Sequence, residues 1–263
     1  MPMYFEEMPV RCGETSATVS ATRGGMVTGL KVRGRDLLYF DRATFEDPEK
    51  SVRGGIPILF PFAGRLDGDK FLPAGTTIKQ HGFGRNKPWK ILSRGEEHVA
   101  LGLEPDDWTM GLYPYLFSAR QTVQAVPHGI RIDLLIRNRG DKPMPVSPGW
   151  HPYFRCPSAY KPKITGDLPK LDPARLTPAA EFDFGLPVPS YAYANFRIPQ
   201  TGHLQINMAP ELKHLQFWSQ PGKDFVCIEP FVGPNNTVNT DRRIDIPPGG
   251  DRTLWLRIEL LPD

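Results

Sequence analysis

The sequence predicts an all-β protein, a sandwich or barrel of many short antiparallel strands. Three observations predict it. The clearest segments alternate apolar and polar residues with a period of two. No stretch of ten or more residues carries a convincing helical period. Pro and Gly number 29 and 25 in 263 residues, so turn signals recur along the chain. In chain order, strands are expected over 16–21, 26–32, 36–40, 56–60, 89–93 and 98–103. EPDDWTMGL (104–112) suits one short helical turn. Strands 115–126 and 129–137 are joined by Pro127-His128-Gly129, a hairpin turn. In GIRIDLLIR, Ile130, Ile132, Leu134 and Ile136 share one face against Arg131, Asp133 and Arg137, with Leu135 the exception. Residues 157–200 are Pro-rich and weakly periodic and are expected as surface loops. Strands resume over 203–208, 213–218, 224–229 and 252–260, where Leu254, Leu256, Ile258 and Leu260 oppose Trp255, Arg257 and Glu259. No repeat and no linker divides the chain, which predicts one domain over 1–263.

Composition narrows the function. The formal net charge is +3 with 23% charged residues, and no Lys/Arg run is interleaved with aromatics. Both argue against nucleic acid as a partner. A small anion needs only two or three local cations, so it stays open. Cys12, Cys156 and Cys227 are widely spaced and lack a C-x-x-C pattern, reading as free thiols in a reducing compartment. The N-terminus resembles no signal peptide and no window approaches 18 apolar residues. A cytoplasmic protein without a membrane partner is expected; the oligomeric state is open.

Three stretches differ from ordinary strand sequence: RGGIPILFPFAGR (53–65) with QHGFGRNKPW (80–89), SPGWHPYF (147–154), and DFVCIEP (224–230). In the last, alternation puts Phe225, Cys227 and Glu229 on one face, and Pro230 is expected to end the ladder. Glu229 is either a strand-end carboxylate in solvent or a base with a raised pKa at a pocket. His151 is either a satisfied core histidine among Trp150, Tyr153 and Phe154 or a proton donor in a sugar pocket with aromatic walls. Both precede a proline, which restricts each backbone to extended conformations. His81, flanked by glycine, is either an inert loop residue or a ligand contact. Arg53, Arg65, Arg85 and Lys87 are either scattered surface cations or an anion cradle. A zinc site from His81, His151 and Glu229 lacks any short-spaced ligand pair. Neither G-x-S-x-G nor a phosphate-binding G-x-x-x-x-G-K-[ST] loop is present.

Taken together, RGGIPILFP, QHGFGRNKPW, HPYF and CIEP, in this order, resemble the aldose 1-epimerase (mutarotase) family. The closing PPGGDRTLWLRIEL is similar to the family's last turn and strand, so the likeness covers about residues 50–260. R-G-G-I-P and H-G-F-x-R-N resemble the branch acting on hexose 6-phosphates. The resemblance implies a large antiparallel supersandwich of the galactose mutarotase type. It implies interconversion of the α and β anomers of a sugar or sugar phosphate, with no cofactor and no metal. It implies Glu229 as general base, His151 as general acid, His81 as a sugar contact, Arg53 and Arg85 as phosphate holders, and Tyr153 as a pocket aromatic. Arg65 is similar to the sugar-binding arginine of galactose mutarotases and competes with Arg53 for the main substrate role. One departure stands out. The family often carries an aspartate in a D-x-x-F segment after the long loop, whereas here Tyr193-Ala194-Asn195-Phe196 has none; either another residue, such as Asp183, serves, or the sugar preference differs. Two other classes stay open. One is a non-catalytic carbohydrate-binding protein, which would not need both Glu229 and His151. The other is a regulatory protein using the same surface.

Overall fold

The computed structural model describes residues 6–188 and 192–262. Pairings between its strands are antiparallel, and three sheets carry the architecture. One has four strands in chain order: Glu7–Cys12, Thr15–Ser20, Met26–Val32 and Arg35–Asp36. The second has eight, in the order Thr165–Gly166, Tyr193–Ile198, Gly202–Met208, Asp251–Leu260, Gly129–Asn138, Phe117–Val126, His98–Leu103 and Lys90–Arg94. The third runs Phe182–Pro187, His214–Ser219, Phe225–Phe231, Gly149–Trp150 and Ile58–Leu59, with Tyr153–Arg155 also beside Phe225–Phe231.

The period of two does what it predicts. In Gly129–Asn138 the buried set includes Ile130, Ile132, Leu134 and Ile136, while Leu135 is half-buried beside the polar residues. In Asp251–Leu260 the four predicted aliphatic residues are buried. The inward faces of all three sheets feed one continuous apolar core. Phe196 of the eight-stranded sheet meets Phe217 of the six-stranded one edge-on at 5.9 Å. Burying one such ring is worth about 1.5–3 kcal/mol. Cys12, Cys156 and Cys227 are free.

The hairpin turn is tighter than expected. Val126 pairs with Gly129, so the turn is Pro127-His128, with His128 left-handed at φ +70°. Gly129 already belongs to the strand, where a Cβ would collide with the Ile258 carbonyl. The helical turn over 104–112 forms as Asp107–Leu112, capped reciprocally by Asp106 and Thr109. No helix of the described residues is long and apolar enough to cross a membrane.

Two expectations are corrected. Residues 157–200 are not simply loops: Thr165–Gly166, Phe182–Pro187 and Tyr193–Ile198 are strands. Phe182, Phe184 and Leu186 alternate as an edge strand does, but the run is short and ends at a proline. Pro230 does not end its ladder. The strand continues to Phe231, with Pro230 paired to Leu215. A proline costs a sheet only the hydrogen bond its nitrogen would have donated. On its other side Pro230 faces a gap between Gly149–Trp150 and Tyr153–Arg155.

Candidate active site

That gap builds the site. Gly149 pairs with Phe231 and Tyr153 pairs with Cys227, the same register on either side of it. Carried across, this register sets His151 opposite Glu229, each followed by its proline. Glu229 pairs on its other side with Gln216, and Gln216 with Gly185. One row of the sheet therefore reads Gly185, Gln216, Glu229, His151. The next reads Asp183, Trp218, Cys227, Tyr153. Alternation sends Phe217 and Ile228 to the core on the opposite face. The His151 N–H donates to the Pro57 carbonyl at 2.9 Å, which fixes the strand as the ring turns to the cavity.

The cavity, about 330 Å³, is lined by Glu229, His151, His81, Arg53, Arg65 and Arg85, together with Asp183, Gln216, Trp218 and others. His151 Nε2 lies 3.4 Å from Glu229 Oε2, and both residues are buried, at 5% and 2% exposure. Among the described residues His151 Nδ1 has no partner. Burial pushes the Glu229 carboxyl well up, Asp183 adds to this, and Arg85 opposes it. Burial pushes the His151 imidazole well down, helped by Arg85 and Arg53. Both groups are thus driven toward their neutral forms, and the pair holds one proton between them. Burial, Arg85 and Arg53 thus disfavour a resting imidazolium at His151.

His81 is no inert loop residue. It is 5% exposed and left-handed at φ +69°. Its Nδ1 accepts from the Gly64 N–H at 3.0 Å, so the neutral ring carries its proton on Nε2. Burial, then Arg85 and His151, push its pKa well down and keep that ring neutral. Gly82 follows, also left-handed, and a Cβ there would strike the Phe60 carbonyl.

The arginines separate into two kinds. Arg65 stands at the rim with its side chain 60% exposed and pairs with Asp183 at 3.6 Å. Arg53 lies over the Trp218 ring at 5.2 Å. Arg85 is pulled down by burial and by Arg53, its cationic neighbour. Among the described residues neither Arg53 nor Arg85 has a carboxylate within salt-bridge distance. Two adjacent guanidiniums without a counter-charge make an anion-seeking wall. Lys87 does not join them: it pairs with Asp106 and covers Trp108.

The family profile described as Aldose 1-epimerase matches residues 11–183. The chain belongs to the aldose 1-epimerase family. The matched span contains His81 and His151 and the three arginines; Glu229 lies beyond it. The Slr1438 protein of Synechocystis sp. PCC 6803 is 32% identical, with a TM-score of 0.89 over 98% of this chain and 96% of that one. A galactose mutarotase related enzyme from Lactobacillus acidophilus shares the fold at 16% identity, with a TM-score of 0.80 and 98% of each chain covered. Among curated sequences, the "Putative glucose-6-phosphate 1-epimerase" of Cenchrus ciliaris is 26% identical over 178 residues, 63% of this chain. This chain spans about half (51%) of that relative's length.

Within this member of the aldose 1-epimerase family, Tyr153 departs from its expected place. It does not line the cavity but lies buried behind it, stacked on His151 at 4.7 Å and 9°. Burial pushes its phenol well up, and Arg53 sits beside its hydroxyl. Tyr153 packs there against Phe225 and Cys227, with Tyr39 and Trp218 alongside. The wall aromatics are instead Trp218 and Phe231. The Tyr193–Phe196 segment lies in the other sheet, with Ala194 and Phe196 in the core and Asn195 bonded to Asp167. Asp183 does reach the cavity, where it accepts from Gln216 and faces Arg65. Gln216 and Trp218 went unnoticed in the sequence, although the alternation of 213–218 already put them on one face. Nothing in that alternation told which face would be the floor of a cavity. Cys227 is a further donor, within 4.8 Å of His151 and Glu229. Burial holds it as a thiol, and Arg53 and Arg85 oppose a cation there.

Proposed function

We propose that this protein interconverts the α and β anomers of a hexose 6-phosphate by acid–base ring opening. One observation carries the reading: a buried carboxyl and a buried imidazole meet at 3.4 Å on the floor of a cavity whose wall carries two arginines without carboxylate partners. Opening a cyclic hemiacetal moves two protons and breaks one bond. O1 loses its proton to a base, the C1–O5 bond breaks, and O5 gains a proton from an acid. The aldehyde then rotates about C1–C2 and the ring closes from the other face.

The pair supplies both groups without a change in net charge. Shifting its one proton from Glu229 to His151 gives a carboxylate that accepts the O1 proton and an imidazolium that donates to O5. The roles reverse on closure. Neutral His81 offers Nε2–H to a sugar hydroxyl. Arg53 and Arg85 hold the phosphate, while Arg65 and Asp183 form a charge-balanced rim for hydroxyls. The plant relative's name is consistent with the phosphate reading.

Arg53→Ala and Arg85→Ala test the phosphate. A charge-assisted contact is worth about 1.5–3 kcal/mol, roughly 10–150-fold in affinity. Each variant should weaken glucose 6-phosphate by that factor and leave free glucose unchanged. Equal losses for both sugars would refute the clamp.

A further inference from the structure

Arg23 stands outside the cavity, yet it is joined to both arginine-bearing loops. It is buried, at 5% exposure. Its Nη1 donates to the carbonyls of Thr44 at 3.0 Å, Phe45 at 2.8 Å and Asp47 at 2.8 Å, and Nη2 donates to Lys50 at 2.7 Å. These carbonyls end the short helix Arg42–Glu46 and its following loop, where unsatisfied C=O groups attract a cation. The same helix holds Arg53 by its backbone. The Arg53 N–H donates to Thr44 Oγ1 at 2.9 Å, and the Arg53 carbonyl accepts from the Asp41 N–H at 2.8 Å. Behind the helix, Phe45 packs with Met26 and Val52.

The other attachment is through the next residue. The Gly24 N–H donates to the Lys87 carbonyl at 2.8 Å, and a Cβ on Gly24 would stand 2.6 Å from the Arg85 Cα. R-G-G thus occurs twice, at 23–25 and 53–55, with all four glycines left-handed. The second copy presents its arginine to the cavity. The first turns its arginine under the loop that carries the second, with Gly24 against the loop that carries Arg85.

We propose that Arg23 is a positioning residue for the substrate's phosphate, setting the spacing of Arg53 and Arg85. The proposal rests on the phosphate reading above. Two neighbouring guanidiniums repel when no anion lies between them. They form a ready clamp only if their backbones are held in place: the Arg23 side chain holds that of Arg53 through Thr44, while the backbone of its neighbour Gly24 packs against that of Arg85. It is bound largely by carbonyl oxygens, so it remains a fixed strut rather than a competitor for the anion.

The test is kinetic, with Arg23→Lys, Arg53→Ala and the double variant assayed on glucose 6-phosphate and free glucose. Arg23→Lys should raise KM for the phosphate ester by about fivefold or more, with kcat within about twofold and free glucose unaffected. In the Arg53→Ala background it should add nothing, because it acts through Arg53. Should Arg23→Lys not fold, Thr44→Val cuts the next link and must give the same KM shift. Multiplying effects in the double variant, or equal losses on both sugars from Arg23→Lys alone, would make Arg23 a merely structural residue and overturn the proposal. An Arg53→Ala variant with an unchanged phosphate-ester KM would sink the phosphate reading itself, and this proposal with it.

Discussion

Glu229 and His151 are expensive residues to keep where they are. A carboxyl whose folded pKa is raised stays protonated while the unfolded chain ionises. Its stabilising contribution is complete below the usual carboxylate value of 4.5 and is lost as pH rises toward the folded value. For His151 the folded pKa is lowered, so its contribution is complete above 6.5 and is lost as pH falls toward the folded value. Glu229→Gln should therefore flatten the decline in Tm as pH rises above 4.5 and melt higher than the parent chain at alkaline pH. A Tm difference independent of pH would contradict the buried carboxyl. The same substitution, like His151→Asn, should lower turnover at least about 10²-fold with the fold intact. Near-normal exchange in either variant would remove that residue from its role.

At the scale of elements, the strand Phe182–Pro187 brings Asp183 to the cavity, and Gly185 makes room for its neighbours. His214 Nε2 and Gln216 Oε1 lie 2.7 Å apart, and a Cβ on Gly185 would overlap the His214 ring. Gly185→Ala should cost about 1–3 kcal/mol by crowding, read as a lower denaturation midpoint, and should raise KM by displacing Gln216. An unchanged midpoint would show that the strand absorbs the methyl. Much of this sheet was legible beforehand: 213–218 and 224–229 are strands because their apolar residues alternate. Two things were not. The edge strand of Phe182, Phe184 and Leu186 is three apolar residues long inside a Pro-rich stretch, too short a pattern to outweigh its surroundings. The depth of Tyr153 depends on the side chains packed around it, Phe225, Cys227 and Tyr39, which come from elsewhere in the chain rather than from the segment. His151 and Glu229 were recognisable by family likeness; that their two X-Pro steps face each other was visible only in the register.

For the whole molecule, three sheets around one core leave the cavity on one face of the six-stranded sheet, with Arg53, Arg65 and Arg85 on its lining although the chain carries only +3 overall. A phosphorylated sugar that binds only the folded state should raise its stability, by about 2.7 kcal/mol at 100 times Kd. Glucose 6-phosphate should raise Tm in the parent and do so far less in Arg53→Ala; an equal rise in both would place the anion elsewhere. A binding protein would pass that test as well as an enzyme. The most direct measurement is anomer exchange by NMR saturation transfer, with the parent chain added to glucose 6-phosphate, glucose and galactose above their spontaneous rates. The account predicts acceleration for the phosphate ester, with little or none for the free sugars. Equal acceleration of all three would contradict the phosphate clamp, and none for any sugar would contradict catalysis and leave a carbohydrate-binding protein.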